Sequence, residues 1–289
     1  MAQALRLGPR TFGADELAVM AIVNRTPDSF FDHGATFAAD AALRAVDEAA
    51  VAGADIIDIG GVKAGPGAPV DPAEEIRRTV ATVAAVRRRF PELVISIDTW
   101  RPEVAREAVA AGADLINDTW AGADPALAEV AAATGAGLVC SHAGGLRPRT
   151  RPHRAAFTDV VADVLTTVTG LADRALALGV RRDGLIIDPA HDFGKNTRHS
   201  LEVTRRLGEL VATGWPVLVA VSNKDFIGET LDLPVPDRLE GTLAATAVSA
   251  WLGARVFRAH QVRPTRRALD MVAAIRGDRP PAVSRRALA

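Results

Sequence analysis

The sequence predicts one α/β domain folded as a closed (β/α)8 barrel. Short, apolar, β-branched runs alternate with longer amphipathic stretches, and the alternation repeats eight times in about 260 of the 289 residues. The apolar runs lead into polar or charged groups and a loop, which is where parallel α/β folds bind ligands. An open doubly wound sheet usually has fewer strands or a second domain, and no linker divides this chain. The expected organisation is a lead-in over residues 1–17, the barrel over 18–276 and a loose tail over 277–289.

Each element has its own signal. Residues 18–23 form a buried-strand run closed by Asn24-Arg25-Thr26-Pro27-Asp28-Ser29, and a helix over 40–52 places Ala41, Ala45 and Ala49 on one face. Strand 56–59 runs into the glycine-rich loop Gly60-Gly61-Val62-Lys63-Ala64-Gly65-Pro66-Gly67. Asp71-Pro72-Ala73-Glu74-Glu75 then starts a helix to about residue 89, with proline at the first helical position and acids in the first turn. Strand 94–97 ends in Asp98-Thr99 and precedes helix 103–111; strand 115–116 ends in Asn117-Asp118 and precedes helix 125–133. Strand 137–139 ends in Cys140-Ser141-His142, followed by an arginine-rich loop to about Arg154 and a long helix over 157–178.

Leu185-Ile186-Ile187 then ends in Asp188-Pro189. The proline stops regular structure, and Gly194 allows backbone angles other residues avoid. Helix 201–212, strand 217–221 ending in Ser222-Asn223-Lys224, helix 239–252, strand 255–257 ending in Arg258-Ala259-His260, and helix 264–275 complete the alternation. Ala-Gly-Ala-Asp occurs at 52–55 and again at 111–114, each time with a glycine able to end a helix just before an apolar strand.

Composition narrows the function classes. Hydrophobic content of 48% with 24% charge is ordinary for a soluble globular protein, and a net charge of −1 offers no basic field for nucleic acid and no polybasic membrane patch. The single cysteine, Cys140, excludes an intrachain disulfide, fits a reducing compartment and suits a small buried hydrophobe better than a nucleophile. No basic segment followed by an apolar core opens the chain, and no apolar run reaches membrane-spanning length, so the expectation is a soluble, cytoplasmic protein. Of the 34 basic residues only Lys63, Lys195 and Lys224 are lysine, and each falls in a loop following an expected strand.

In a barrel the strand ends converge on one mouth. They bring together Asn24, the loop 60–67, Asp98, Asn117, Ser141-His142, Asp188, Lys224, Arg258 and His260. Any one of these alone fits a helix cap or a surface pair equally well. As a set they make poor core material, because a desolvated charge costs several kcal/mol without a partner. Asp98, Asn117 and Asp188 suit a flat heterocycle with several N–H donors, and Lys224 suits its ring carbonyl or nitrogen. Asn24, Arg258 and His260 suit an anionic phosphate, with Asn24 offering a hard oxygen to Mg2+. No Walker loop, paired-histidine zinc motif, nucleophile elbow or dinucleotide fingerprint occurs.

Asn24-Arg25-Thr26-Pro27-Asp28-Ser29-Phe30, Asp58-Ile59-Gly60-Gly61, Ser96-Ile97-Asp98-Thr99 and Ile116-Asn117-Asp118 resemble the dihydropteroate synthases. So do Asp188-Pro189 with Phe193-Gly194-Lys195, Ser222-Asn223-Lys224 with Ile227-Gly228, and Arg258-Ala259-His260. The resemblance implies a TIM barrel that joins 6-hydroxymethyl-7,8-dihydropterin diphosphate to p-aminobenzoate, with Mg2+ assisting loss of diphosphate, in a homodimer. It assigns pterin binding to Asp98, Asn117, Asp188 and Lys224, diphosphate binding to Asn24, Arg258 and His260, and the metal to Asn24. Lys224, Asp98 and Arg258 become the candidate catalytic residues, because carboxylates near the ring and cations near the leaving group match the charges that develop. Phe30, Lys63 and Ser222 fall on the second-substrate side.

The departures concentrate on that side. The family usually follows Asp-Ile-Gly-Gly with Glu-Ser-Thr-Arg-Pro-Gly, whereas this chain reads Val62-Lys63-Ala64-Gly65-Pro66-Gly67, so Ala64 and Gly65 replace a hydroxyl and an arginine. Lys63 offers a neighbouring cation without the bidentate fork. Asn223 stands in the usual Ser-Arg-Lys triplet, and Ser141 stands where a methionine is common beside the pterin. Three expectations follow: a working synthase, a diverged paralogue that keeps a pterin or related ligand and has weak or no condensation activity, or an enzyme that uses the same diphosphate-leaving chemistry with a different nucleophile.

Overall fold

Inward-facing and outward-facing side chains alternate along every barrel strand, and that alternation sorts the interior into layers. The structure, a computed structural model, describes residues 4–27, 34–150 and 156–286. Strands β3 (Ala18–Asn24), β4 (Ile56–Gly60), β5 (Val94–Asp98), β6 (Leu115–Asp118), β7 (Gly137–Ser141) and β8 (Leu185–Asp188) pair in parallel in chain order. On the other edge of β3, β10 (Val256–Ala259) pairs in parallel and connects to β9 (Leu218–Val219). A bridge between Ile187 and Val217, with the Ile187 N–H on the Pro216 carbonyl at 2.9 Å, closes the ring.

The helices surround the strands. They are α1 (Ala39–Val51), α2 (Pro72–Arg89), α3 (Pro102–Ala110), α4 (Ala126–Thr134), α5 (Val160–Ala177), α6 (Thr197–Arg205), α7 (Leu207–Val211), α8 (Asp225–Leu231), α9 (Leu239–Trp251) and α10 (Val262–Arg276). The expected start of α2 is built as read: Pro72 opens the helix, and the Asp71 carboxylate accepts from the Glu74 N–H at 2.7 Å. Ile57, Ile59, Ile95, Ile97, Ile116, Leu138 and Ile187 face outward against these helices. Met20, Ile56, Val94, Leu115, Val139, Ile186, Leu218 and Val256 face inward and form an apolar floor at the N-terminal end of the barrel.

Residues 1–17 are more than a lead-in. β1 (Leu5–Leu7) and β2 (Arg10–Phe12) form an antiparallel hairpin that adds fully buried Leu5, Leu7 and Phe12 to the inner floor. Three-residue strands are too short for alternation to be recognised in sequence, which is why the stretch reads as a connector. Strand 217–221 shrinks to two ladder residues, the helix over 201–212 is divided into α6 and α7, and α8 is an addition. Residues 277–286 follow α10 as an exposed, irregular segment.

Candidate active site at the barrel mouth

Two residues above the apolar floor, the inward positions become polar. They are Asp58 on β4, Ser96 on β5, Asn117 on β6, Ser141 on β7, Asp188 on β8 and Arg258 on β10. Inward side chains repeat every second residue, so the next step up carries Asn24, Asp98, Ser222 and His260 to the rim. The open cavity there is lined by Asn24, Lys63, Asp98, Asp188, Phe193, Ser222, Lys224, Arg258 and His260. The sequence-expected residues therefore converge on one site, with Asn117 buried below the cavity. Phe30 lies outside the described residues.

Asp58, inside the motif Asp58-Ile59-Gly60-Gly61, is the buried hub. Its carboxylate accepts from Ser96 Oγ at 2.6 Å, Asn117 Nδ2 at 3.0 Å and Arg258 Nε at 2.6 Å. Arg258 also donates from Nη2 to Asp98 Oδ2 at 2.9 Å, so the guanidinium expected to face a diphosphate is clamped between two carboxylates. Burial works against the Arg258 charge, but Asp58 and Asp98 outweigh it and hold the pKa above the usual value. For Asp98 burial dominates over the attraction of Arg258, and Asp58 and Glu75 add repulsion, so its pKa is pushed up to about 7.

Asp188 and Lys224 share the opposite wall. Burial raises the Asp188 pKa against the pull of Lys224, and Oδ1 accepts the Ala190 N–H at 2.7 Å. Burial lowers the Lys224 pKa against the attraction of Asp192 and Asp188; its ammonium donates to the His191 carbonyl and lies 4.9 Å from the centre of the Phe193 ring. Phe193 in turn meets Trp120 edge-on at 5.3 Å.

Lys195 does not reach the cavity. Its Nζ donates to the Ala190 and Phe193 carbonyls at 3.2 and 3.0 Å and meets His142 Nδ1 at 2.6 Å, while His142 Nε2 meets Asp163 at 2.7 Å. Burial pushes the Lys195 pKa down to about 7; burial, then Lys195, pushes that of His142 down to about 4. This chain pins the loop that follows Asp188. At Gly194 a Cβ would lie 2.6 Å from the Ala143 carbonyl oxygen and the backbone sits at φ +62°, so only glycine lets the two loops meet.

The second-substrate side is built differently. Lys63 is half-buried on the cavity wall and makes no hydrogen bond or ion pair with the described residues. Ser222 Oγ accepts the His260 N–H at 3.1 Å and lies 3.0 Å from His260 Nδ1. Asn223 is fully buried and donates to Gln261 Oε1 at 2.9 Å. From the arginine-rich loop, Arg149 crosses to the second loop and donates to the Ala68 carbonyl at 2.8 Å and the Gly65 carbonyl at 3.4 Å. Two signals for Asp58 and Arg149 were present in the sequence: a lone carboxylate inside the run Ile56-Ile57-Asp58-Ile59, and an arginine cluster in a loop.

The pterin binding enzyme family matches residues 20–260. The inactive dihydropteroate synthase 2 of Mycobacterium leprae is 58% identical over 284 residues, covering 97% of this chain and 98% of that protein. The dihydropteroate synthase of Haemophilus influenzae is 38% identical over 248 residues, covering 86% of this chain and 90% of that protein. The structure of the Yersinia pestis dihydropteroate synthase with a sulfonamide drug superposes with a TM-score of 0.90 at 33% identity, covering 96% of this chain and all of that one. A barrel whose polar inner layer ends in this set of carboxylates, amide, lysine and arginine, and whose length is spanned by these matches, belongs to the pterin-binding enzyme family, as a protein of dihydropteroate-synthase type.

Proposed function

We propose that the protein binds a pterin of the 6-hydroxymethyl-7,8-dihydropterin class at the mouth of its barrel, and that its condensation with p-aminobenzoate is lost or strongly reduced. One observation carries this reading. Asp98, Asp188 and Lys224 line the cavity, with Asp58 and Asn117 buried below it, while the loop facing it presents Ala64 and Gly65 where a hydroxyl and a guanidinium are usual. The 58% identity to a relative that carries the name inactive dihydropteroate synthase 2 supports it. In this reading Asp98, Asn117, Asp188 and Lys224 read the pterin, Arg258 and His260 face its phosphates, and Phe30, Lys63 and Ser222 border the second-substrate side.

Mg2+ fits the donor chemistry. Among the described residues no cluster of three or more His, Cys, Asp or Glu could cage a metal. Mg2+ commonly needs only one or two protein oxygens when a phosphate supplies the rest, and Asn24 at the rim offers one hard oxygen. The ion would neutralise phosphate charge, and Asn24 would orient it. A homodimer is supported by exposed Val248 and Trp251 on α9 and Met271 and Ile275 on α10, helices that pack side by side and offer a second copy an apolar surface. A cytoplasmic location is consistent with the lone reduced cysteine and with the absence, among the described residues, of a helix long and apolar enough to cross a membrane.

The second reading, a fully working synthase, is favoured by the retained Asn24, Lys224, Arg258 and His260. The two are separated by a coupled assay with pterin diphosphate and p-aminobenzoate, run beside calorimetry with the pterin alone. Pterin binding without diphosphate release is the expected result. Turnover at the rate of an ordinary synthase overturns the proposal in favour of the second reading, and a folded protein that binds no pterin overturns both.

A further inference from the structure

The inner polar layer divides into a satisfied half and an unsatisfied half. On β4, β5, β6 and β10, Asp58 gathers hydrogen bonds from Ser96, Asn117 and Arg258. On β6, β7 and β8 the pairing stops. Among the described residues Ser141 Oγ and Asn117 Oδ1 are buried and have no hydrogen-bond partner, and the carboxylate of Asp188, the register partner of Ser141, receives only the Ala190 N–H on Oδ1. Val139 below Ser141 faces the inner floor and Cys140 faces the helices, so alternation turns Ser141 inward, towards the side on which Asp188 lines the cavity.

The polarity of these groups is fixed. The Asn117 amide must present Nδ2 to Asp58, because a carboxylate only accepts, so Oδ1 is the atom left over. Asp188 is likewise an acceptor. Ser141 stands between them in strand order, and its hydroxyl proton has no acceptor among the described residues. The row is acceptor, donor, acceptor, and it complements a heterocycle edge that runs donor, acceptor, donor. The N8–H, N1 and 2-amino edge of a reduced pterin has that order.

We propose that Ser141 determines specificity in this site: its hydroxyl donates to the ring acceptor lying between two donors on the bound heterocycle. This rests on the pterin reading above and adds a contact that an apolar side chain on β7 cannot make. A buried hydroxyl without a partner destabilises the protein that carries it, and a ligand acceptor removes that cost. Binding and stability should therefore respond in opposite directions to its removal.

The test measures calorimetric affinity of the wild type, Ser141→Ala and Ser141→Cys for 6-hydroxymethyl-7,8-dihydropterin and for its 1-deaza counterpart, in which a C–H replaces N1, together with the melting temperature of each ligand-free protein. Ser141→Ala should bind the dihydropterin about five- to tenfold more weakly, bind the 1-deaza compound as the wild type does, and melt at the same or a higher temperature. Ser141→Cys, a weaker donor of similar shape, should fall between. A wild type that binds the dihydropterin no better than the 1-deaza compound, or a Ser141→Ala protein that retains full affinity or weakens for both ligands alike, overturns the role of Ser141 and leaves the pterin reading standing. A wild type that binds neither compound overturns the pterin reading and this inference with it.

Discussion

Asp188 closes β8 with one carboxylate oxygen on the Ala190 N–H and lines the cavity beside Lys224. Asp188→Asn turns one acceptor into a donor that would face a ligand N–H, and calorimetry should show pterin affinity falling by about 2–4 kcal/mol. Unchanged affinity would remove Asp188 from the site. Asp98 adds a pH dependence. Its ordinary pKa is 3.8 and burial lifts it to about 7, so the folded protein keeps a proton that the unfolded chain releases, and stability contributed by Asp98 declines as pH rises from about 4 to 7. Ligand binding runs the other way, because a carboxylate accepts N–H donors better than the neutral acid. Pterin affinity should rise several-fold between pH 6 and 8 in the wild type, and the rise should vanish in Asp98→Asn. Both carboxylates were legible because each ends an apolar run. The clamp on Arg258 was not, since its partners Asp58 and Asp98 lie 200 and 160 residues away and only the closed ring brings them together.

At the scale of elements, the second loop decides what the mouth can do. Arg149 holds it through the carbonyls of Gly65 and Ala68, and Lys63 supplies a single point charge. Among the described residues a Cβ placed on Gly65 meets only Lys63 Cε, at the ordinary contact distance of 3.7 Å, so the backbone there has room for a Cβ. The double substitution Ala64→Thr and Gly65→Arg restores a hydroxyl and a fork-shaped donor, and hydrogen bonds to a charged group contribute about 1.5–3 kcal/mol each. The double variant should release diphosphate at least about tenfold faster than the wild type in the coupled assay. If it gains nothing, the deficit lies elsewhere in the mouth. The altered composition of this loop was readable directly, and so were the strands and long helices, which carry period and length. α8 was not: it begins directly after Lys224 with no side-chain cap, and it ends at Asp232 in the left-handed conformation, where glycine would have marked the stop.

Across the whole molecule the barrel interior is divided along its axis, apolar at one end and ionisable at the other. The hairpin of β1 and β2 closes the apolar end. Arg10 Nη1 donates to Asp55 at 2.8 Å, Arg181 Nη2 to the Arg6 carbonyl at 3.0 Å and Arg255 Nη2 to the Phe12 carbonyl at 3.3 Å, fixing the hairpin from three sides while Leu5, Leu7 and Phe12 fill the floor. Phe12 is 1% exposed, and its truncation leaves a cavity that the closed ring of strands cannot collapse around. Phe12→Ala should therefore cost about 3–5 kcal/mol, and the melting temperature should fall by roughly 10 °C. The same variant should bind pterin with wild-type affinity at a temperature where it is folded, because the inner apolar layer from Met20 to Val256 separates the hairpin from the polar layer above it. A stable Phe12→Ala protein would show that the hairpin merely rests on the barrel. A folded variant with weakened pterin affinity would show that floor and mouth are coupled, and that the site is held in shape from the far end of the barrel as well as by its own hydrogen bonds.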